Sequence, residues 1–297
     1  MMNIYDCFMY FDEDLLLDLR LNILNNYVKK FVITEATYTH NGNKKKLNFD
    51  INNFKKFKDK IDYIVVDDLP SNIKQINEND SKEIKGQKLI FNGYARDNFQ
   101  REGLNKGLAY ARENDFIIIS DLDEIPKLSN IDFSLIKNKI IIFKQLMFYY
   151  KFNLQYENFN WYGSKACKKK DFISPQWLRN IKAKKYSDFR FDLFFSKNKY
   201  SNIHFIEDGG WHFTNIRNAE NLEKKLLNFA HHYDFEKSGL NINDLSKSIK
   251  NKTIMYDHSV SRKGSRWSAK TNLKNTSIDL LPNYIGENLS KYNEWLD

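Results

Sequence analysis

Residues 116–126 of the chain read FIIISDLDEIP, and this stretch decides the fold. Phe116 and the three isoleucines after it form an uninterrupted apolar run, which is typical of a strand buried on both faces of a parallel sheet. The run ends in a polar turn that carries three carboxylates, and Pro126 cannot continue the ladder of a central strand. A buried strand followed by an acidic turn predicts a ligand site at the edge of a sheet.

Strand and helix patterns alternate along the part of the chain that precedes this strand. Three further segments are rich in strand formers, and two segments repeat apolar residues at helical spacing. This order predicts an α/β fold with a doubly wound, mostly parallel sheet and helices on both faces. The predicted strands are 4–10, 31–34, 63–66 and 116–119. One predicted helix starts near residue 12 or 14, and a second spans about 92–113. In the less regular second half, we predict strand-like segments at 140–150 and 189–195 and helices at 219–231 and 289–296.

The acidic turn has the residue types of a divalent cation site. Asp121 and Asp123, one residue apart after a buried strand, can both approach one hard cation such as Mg²⁺ or Mn²⁺. Three carboxylates within four residues also repel one another without a cation. The alternative is a solvated acidic turn, and a second D-x-D at residues 12–14 is better explained as a helix cap.

A further metal ligand is expected from another part of the chain. The segment Gly209-Gly210-Trp211-His212-Phe213 is the best candidate, because paired glycines permit close backbone approach and His212 offers an imidazole nitrogen. The alternative is a histidine that is buried in the core or held by hydrogen bonds, which is the more frequent fate of a single histidine.

Composition limits the classes of protein that fit. The 297 residues are 41% hydrophobic, which excludes wholesale disorder, and two cysteines cannot build a disulfide framework. The first residues lack the basic region of a signal peptide, and no run of eighteen apolar residues occurs, so we expect a soluble, cytoplasmic protein. The net charge of +9 is compatible with nucleic acid, a membrane surface or a phosphorylated substrate.

Motifs along nearly the whole chain resemble glycosyltransferase family 17, whose eukaryotic members add the bisecting β-1,4-linked GlcNAc to the core mannose of N-glycans. Only the region from about residue 145 to 208 matches poorly. The matching stretches are 14–22, 31–36, Gly42 with 47–49, 118–126, 210–212 and 281–284.

The resemblance implies a GT-A fold, a UDP-sugar donor such as UDP-GlcNAc, and inversion at the anomeric carbon. It places Asp121 and Asp123 on the D-x-D motif of the family and His212 on its Trp-His motif, as ligands of Mn²⁺ or Mg²⁺. It also implies one catalytic domain over residues 1–297, with a donor-binding half at about 1–130 and an acceptor half with a C-terminal loop at about 131–297. The expected acceptor is a glycan, a lipid-linked sugar or a glycoprotein, with peripheral membrane contact as an option.

Several residues are candidates for the donor site, each with a simpler alternative. Glu35 follows the second strand and can accept a hydrogen bond from uracil or ribose, or it can stabilise a loop. The cationic candidates can neutralise a diphosphate, or they can be solvated or form structural ion pairs. The donor-site candidates are Glu35, Arg96, Arg101, Asp121, Arg262 and Arg266, while Arg20 is as well explained by a structural salt bridge.

An inverting transfer also needs a general base for the acceptor hydroxyl. Asp192, Glu207 and Asp208 lie in the expected acceptor half, and Asp208 is nearest to the Trp-His motif. Two other classes of protein stay open: a basic nucleic-acid-binding protein, and a metal-dependent nucleotidyl- or phosphotransferase that uses the same acidic turn. The chain has no P-loop motif, which counts against the latter class.

Overall fold

A computed structural model describes residues 2–187, 189–193, 195–230, 232–257, 267 and 271–297. The strands are β1 (Ile4–Met9), β2 (Lys30–Ala36), β3 (Ile61–Val66), β4 (Phe116–Ile119), β5 (Glu124–Pro126), β6 (Ile140–Phe143), β7 (Gln145–Tyr149), β8 (Leu154–Trp161), β9 (Lys165–Lys168), β10 (Ile203–Ile206), β11 (Gly210–Thr214) and β12 (Lys274–Asn275). The helices are α1 (Asp14–Leu24), α2 (Lys82–Glu102), α3 (Pro175–Asn180), α4 (Ala219–Asn228), α5 (His232–Ser238), α6 (Ile242–Lys250), α7 (Asn283–Glu287) and α8 (Leu289–Tyr292). Short 3₁₀ helices occupy Ile51–Lys60, Gly103–Leu108, Lys169–Asp171, Phe191–Leu193, Ile278–Leu280 and Asn293–Trp295.

The larger sheet has seven strands in the order β10-β6-β9-β4-β1-β2-β3. All neighbouring pairs are parallel except the two that β9 forms with β4 and β6. From β1, the chain first adds β2 and β3 on one side and later β4 on the other. The point where the direction of strand addition reverses lies between β1 and β4, and ligands bind beyond the carboxyl ends of strands at such a point.

Apolar side chains cover both faces of this sheet, because successive residues of a strand point to opposite faces. On one face, Phe8 and Ile118 pack against the leucines of α1. On the other face, Cys7 and Ile119 pack against the 3₁₀ segment Gly103–Leu108 and against α3. The fold is therefore α/β, and the predicted placement of helices on both faces of a mostly parallel sheet is confirmed.

A second sheet of five strands, ordered β12-β8-β7-β11-β5, starts directly after the acidic turn. β5 pairs antiparallel with β11, and the register puts His212 opposite Glu124 and Gly210 opposite Pro126. The Phe213 N–H also donates to the Asp123 carbonyl at 2.8 Å. The acidic turn is thus one of the connections between the two sheets, and strand pairing brings His212 beside it.

Some predicted elements differ from the observed ones. The helix predicted at 92–113 starts earlier, at Lys82, where Ser81 caps it by accepting from the Ile84 N–H. The segment 140–150 forms two strands in different sheets, β6 and β7. The strand predicted at 189–195 is wrong: its described residues form the 3₁₀ turn Phe191–Leu193 and no ladder, since strand formers need a neighbouring strand to pair with.

Both cysteines are buried and unpaired, consistent with the expectation of no disulfide framework. None of the helices in the described ranges is long and apolar enough to cross a membrane.

Gly210 is required by the close contact between β11 and β5. Its φ is +116°, and a Cβ atom there would overlap the Ile125 carbonyl oxygen and approach the Lys127 nitrogen at 2.6 Å. Gly210→Ala should therefore lower the free energy of unfolding by about 3 kcal/mol or more, through backbone strain and overpacking together. Urea unfolding followed by circular dichroism measures this.

The matched control is Gly239→Ala, at a φ of +72° with nothing within 4 Å of the added carbon. This substitution should cost only about 1 kcal/mol, from the left-handed backbone alone. Equal losses in the two variants would contradict the close contact at Gly210.

Candidate active site

The acidic turn lies at the bottom of a cleft with a volume of about 830 Å³. The cleft opens beyond the carboxyl ends of β1, β2 and β4, as expected for a sheet of this topology. Part of the lining comes from the larger sheet with α2 and α3, and part comes from the second sheet with α4. The lining residues include Tyr10, Glu13, His40, Asp97, Arg101, Asp121, Asp123, Glu124, Tyr149, Trp161, Arg179, His212, Lys225 and Trp267.

Arg20 binds the backbone of the acidic turn from the interior of the protein. Its guanidinium is fully buried and forms an ion pair with Asp6 of β1 at 2.6 Å. The Nη1 atom donates to the carbonyls of Asp121 and Leu122, each at 3.1 Å, and to that of Glu124 at 2.7 Å. The structural salt bridge predicted as an alternative for Arg20 is confirmed. Arg20 also positions the turn from which the carboxylates project.

Glu124 forms the buried end of the carboxylate cluster and is bound mainly by Arg179 of α3. The Arg179 guanidinium donates to both carboxylate oxygens, at 2.7 and 2.9 Å, and Trp161 Nε1 donates to one of them at 2.5 Å. Burial alone would raise the pKa of Glu124, but the charges of Arg179 and His212 outweigh burial and lower it. Gly163 makes room for this group, because a Cβ atom there would overlap the Glu124 carboxylate.

Asp121 is more exposed and lies between two guanidinium groups. Arg179 Nη2 donates to one oxygen at 2.6 Å, and Arg101 Nη2 contacts the other at 3.2 Å. Arg101 is also held by Asp97 at 2.7 Å and by the Gln176 side chain at 2.7 Å. The predicted donor-site residues Arg101 and Asp121 therefore meet in the cleft.

Asp123 projects toward the second sheet, where it meets His212 and Lys225. His212 Nε2 and Lys225 Nζ each lie 3.5 Å from a carboxylate oxygen of Asp123. Burial favours the neutral acid, but the Lys225 and His212 charges outweigh it and hold the pKa of Asp123 well below its usual range. Asp123 therefore keeps its negative charge at neutral pH.

His212 has one ring nitrogen in contact and one without a partner. Its ring stacks on Trp161 with centroids 4.8 Å apart, which fixes the orientation of the imidazole. The Nδ1 atom is buried and has no hydrogen-bond partner within the described residues. Such atoms are commonly satisfied by a water, an ion or a ligand.

Repulsion within the acidic turn is balanced by cations from other elements. Arg101 comes from α2, Arg179 from α3 and Lys225 from α4. Among the residues that the structure describes, no group of three or more histidine, cysteine or acidic side chains is arranged to hold a metal. The predicted ligands Asp123 and His212 do come together, whereas the Asp121 carboxylate contacts arginines.

Two of the predicted donor residues lie outside the cleft lining. Glu35 is buried and accepts from the Asn48 and Phe49 N–H groups at 2.8 and 3.1 Å and from the Tyr63 hydroxyl at 2.8 Å, so it stabilises a loop. Arg96 donates to the His40 carbonyl at 3.1 Å and packs under Gly42. Arg262 and Arg266 lie outside the described residues.

The three predicted general bases are not brought to the cleft. Asp192 pairs with Arg190 and Lys199, Glu207 with Lys144, and Asp208 with Lys127. Glu207 and Asp208 lie in the exposed bend that precedes β11, and neither lines the cleft. Proximity in sequence to the Trp-His motif does not place these carboxylates near the acidic turn.

Arg179 and Lys225 are the site residues that the sequence did not reveal. Both are basic residues on helices, Lys225 directly after Lys224, and no spacing pattern distinguishes either from the other basic residues nearby. The one local signal is the start of α3, where Ser174 caps the helix and Pro175 occupies its first turn. That signal predicts where the helix starts, but it does not predict which side of the helix faces the cleft.

Lys165 fixes the end of the helix that carries Arg179. Its ammonium group is buried and donates to the carbonyls of Arg179 at 2.5 Å and Ile181 at 2.6 Å. Cations near the end of a helix satisfy carbonyls that have no partner within the helix. Lys165 is therefore a positioning residue for Arg179.

The sequence model of glycosyltransferase family 17 matches residues 1–293, and the chain belongs to this family. Comparison with curated proteins gives no significant match. The family therefore defines the class of this protein as an enzyme of glycosyl transfer.

Two solved structures are similar to part of the chain, both of HddC from Yersinia pseudotuberculosis, one of them complexed with GMP-PN. Each shares 10% identity and covers 70% of this chain and 91% of its own, with TM-scores of 0.32 and 0.33. Similarity at this level carries no argument about the fold or function of the chain.

Removal of the Arg20 side chain should destabilise the protein strongly. Arg20→Met leaves the Asp6 carboxylate buried and unpaired and frees three carbonyls of the acidic turn. We expect a loss of about 3–5 kcal/mol in the free energy of unfolding. The control, Arg190→Met, removes an exposed pair with Asp192 and should leave the free energy of unfolding nearly unchanged. Similar losses in urea unfolding of the two variants would contradict the role of Arg20.

Lys165 should give the stability a characteristic dependence on pH. Burial, and then the nearby Arg179 charge, lowers the pKa of the Lys165 ammonium from 10.5 to about 7. Between these values the unfolded chain binds this proton more tightly than the folded chain, so the contribution of Lys165 to stability rises with pH and is lost as the pH falls toward 7.

Urea unfolding at several pH values between 7 and 9.5 measures this dependence. The free energy of unfolding of the native protein minus that of Lys165→Met should grow by about 1 kcal/mol per pH unit. Lys170→Met replaces an exposed lysine and is the control for the substitution itself. A constant difference for Lys165→Met would show that its pKa is not lowered.

Proposed function

We propose that the chain is a metal-dependent inverting glycosyltransferase that transfers a sugar, most simply GlcNAc, from a UDP-sugar to a hydroxyl of a glycan acceptor. The observation that carries this proposal is the acidic turn at the bottom of the cleft, where Asp123 lies beside His212 and three cations converge. Family membership supports glycosyl transfer, and the choice of UDP-GlcNAc rests on the resemblance to the eukaryotic members.

The topology supports a GT-A fold. The larger sheet is parallel except for β9, which is inserted between β4 and β6. The D-x-D turn leaves the central strand β4 and leads directly into the second sheet through β5. We infer that a donor would bind against the carboxyl ends of β1 and β4 and an acceptor against the second sheet.

Asp123 and His212 fit the requirements of a divalent cation. Their facing oxygen and nitrogen are 3.5 Å apart, which suits two ligands of one ion with bonds of about 2.1 Å. Mg²⁺ is commonly held by one or two carboxylates together with substrate phosphates, so a full cage of protein ligands is not required. When bound, such an ion neutralises the charge that develops on the leaving diphosphate.

The three cations of the cleft suit the remaining charge of the donor. The fork of Arg179 can bind phosphate oxygens in a bidentate manner, as it now binds carboxylates. Arg101 and Lys225 face the same turn from opposite sides. A diphosphate entering the cleft would therefore find charge-assisted donors that are already oriented.

The transfer itself is a single displacement. The acceptor oxygen forms a bond to the anomeric carbon, the bond from that carbon to the diphosphate oxygen breaks, and UDP leaves with the electron pair. The hydroxyl proton passes to a general base. Asp192, Glu207 and Asp208 remain predictions for this role, although their positions outside the cleft lining give them no support.

Loss of Asp123 should abolish the reaction. Asp123→Ala removes a predicted ligand and the partner of His212, so hydrolysis of labelled UDP-GlcNAc, or its transfer, should fall by at least about 100-fold. Asp132→Ala, on an exposed turn outside the cleft lining, is the control and should keep full activity.

Chelation with EDTA should stop the native enzyme and Mn²⁺ should restore it. Full activity in EDTA would contradict metal dependence.

A thermal-shift screen distinguishes this function from the alternative classes. UDP-sugars with Mn²⁺ should stabilise the native protein more than GDP- or CDP-sugars, and Asp123→Ala should lose the effect. Stabilisation by nucleoside triphosphates alone would favour a nucleotidyl- or phosphotransferase. Salt-sensitive binding of DNA or RNA without affinity for a nucleotide sugar would favour a nucleic-acid-binding protein.

A further inference from the structure

Residues 182–199, here called the aromatic loop, connect α3 to the strand β10. Three phenylalanines of this loop are almost fully exposed: Phe189 by 92%, Phe191 by 82% and Phe195 by 90%. Among the described residues, Tyr110 is the only other large hydrophobic side chain exposed by more than 80%. Single exposed apolar residues are normal on protein surfaces, but three within seven residues form a cluster that indicates an interaction site.

The charge around these phenylalanines is strongly positive. The aromatic loop contains six basic residues and two aspartates, a net charge of +4 within eighteen residues. Asp192 is paired with Arg190 at 2.8 Å and Lys199 at 2.9 Å, so its negative charge is neutralised within the loop. Lys184 and Lys185 at the start of the loop and Lys197 near its end are exposed.

The base of the aromatic loop is tied together. The Lys182 N–H donates to the Asn198 carbonyl at 2.8 Å, which joins the two ends. Trp177 of α3 donates from Nε1 to the Lys197 carbonyl at 2.9 Å. The exposed phenylalanines therefore project from a closed base that is anchored to the helix of Arg179.

We propose that the aromatic loop is a membrane-contact site that inserts Phe189, Phe191 and Phe195 into the interface of an anionic lipid bilayer. Aromatic side chains partition into the headgroup region, and surrounding lysines and arginines bind anionic headgroups. The charge of the loop selects an anionic bilayer, since an uncharged one offers the basic residues of the loop no net electrostatic attraction. This proposal is independent of the donor and of the reaction in the cleft.

Because α3 also carries Arg179 and Asn180 on the cleft wall, the membrane-contact site is continuous in sequence with the candidate active site. A bilayer bound to the aromatic loop would hold a lipid-linked acceptor near the cleft of the same protein. The aromatic residues of 189–195, which favour a strand when the sequence is read alone, are thus explained by contact with a bilayer.

Sedimentation of the full chain with vesicles tests the proposal. The native protein should bind phosphatidylcholine vesicles that contain phosphatidylglycerol at least about tenfold more tightly than pure phosphatidylcholine vesicles, since each cation near an anionic surface contributes about fivefold. The triple variant Phe189→Ser, Phe191→Ser, Phe195→Ser should lose at least about tenfold of this affinity. The control Tyr110→Ser, equally exposed elsewhere, should bind within about twofold of the native protein.

A second variant keeps the test independent of the phenylalanines. Lys184→Glu with Lys185→Glu should also lose at least about tenfold on anionic vesicles, and high salt should weaken native binding. Thermal unfolding should be unchanged in all variants, because every substituted side chain is exposed. Native binding that is absent, or equal in the triple variant, overturns the proposal. Self-association that the triple variant alone loses, without vesicle binding, would instead assign the loop to a contact between copies of the chain.

Discussion

A single buried guanidinium, that of Arg20, joins the first strand, the first helix and the acidic turn. Its ion pair with Asp6 lies in the core, where removing two charges from water is costly, and five hydrogen bonds offset that cost. Three of these bonds go to carbonyls of the turn. The backbone from Asp121 to Glu124 is therefore held in place from the protein interior, and the side chains of the turn are left to serve the cleft.

Residues from distant parts of the chain balance the negative charge of the acidic turn. Three carboxylates lie within four residues, and their counter-charges come from Arg101, Arg179 and Lys225 on separate helices. These cations neutralise the acids of the turn and line the same cleft. Part of the positive charge of the chain is thus concentrated at the candidate active site, and another part lies on the aromatic loop.

Pairing between β5 and β11 explains both the success and the failure of reasoning from motifs. The pairing puts His212 opposite Glu124, so the Trp-His motif reaches the D-x-D turn as the family resemblance implied. Glu207 and Asp208 lie in the bend before β11, where they pair with Lys144 and Lys127 outside the cleft lining. Proximity in sequence to His212 therefore does not bring these two carboxylates into the cleft lining.

The amino-acid sequence predicts β1 to β4 of the larger sheet, because Phe116–Ile119 and the other apolar runs can be buried in few other ways, whereas β9 and β10 of that sheet were not predicted. It also determined the acidic turn, since the turn is a local pattern that directly follows one of these strands. Tertiary structure alone decided that Arg179 and Lys225 would meet the turn and that Glu35 would support a loop. A lone basic residue on a helix carries no local signal of its partner, because that partner is set by how helices pack on the sheet.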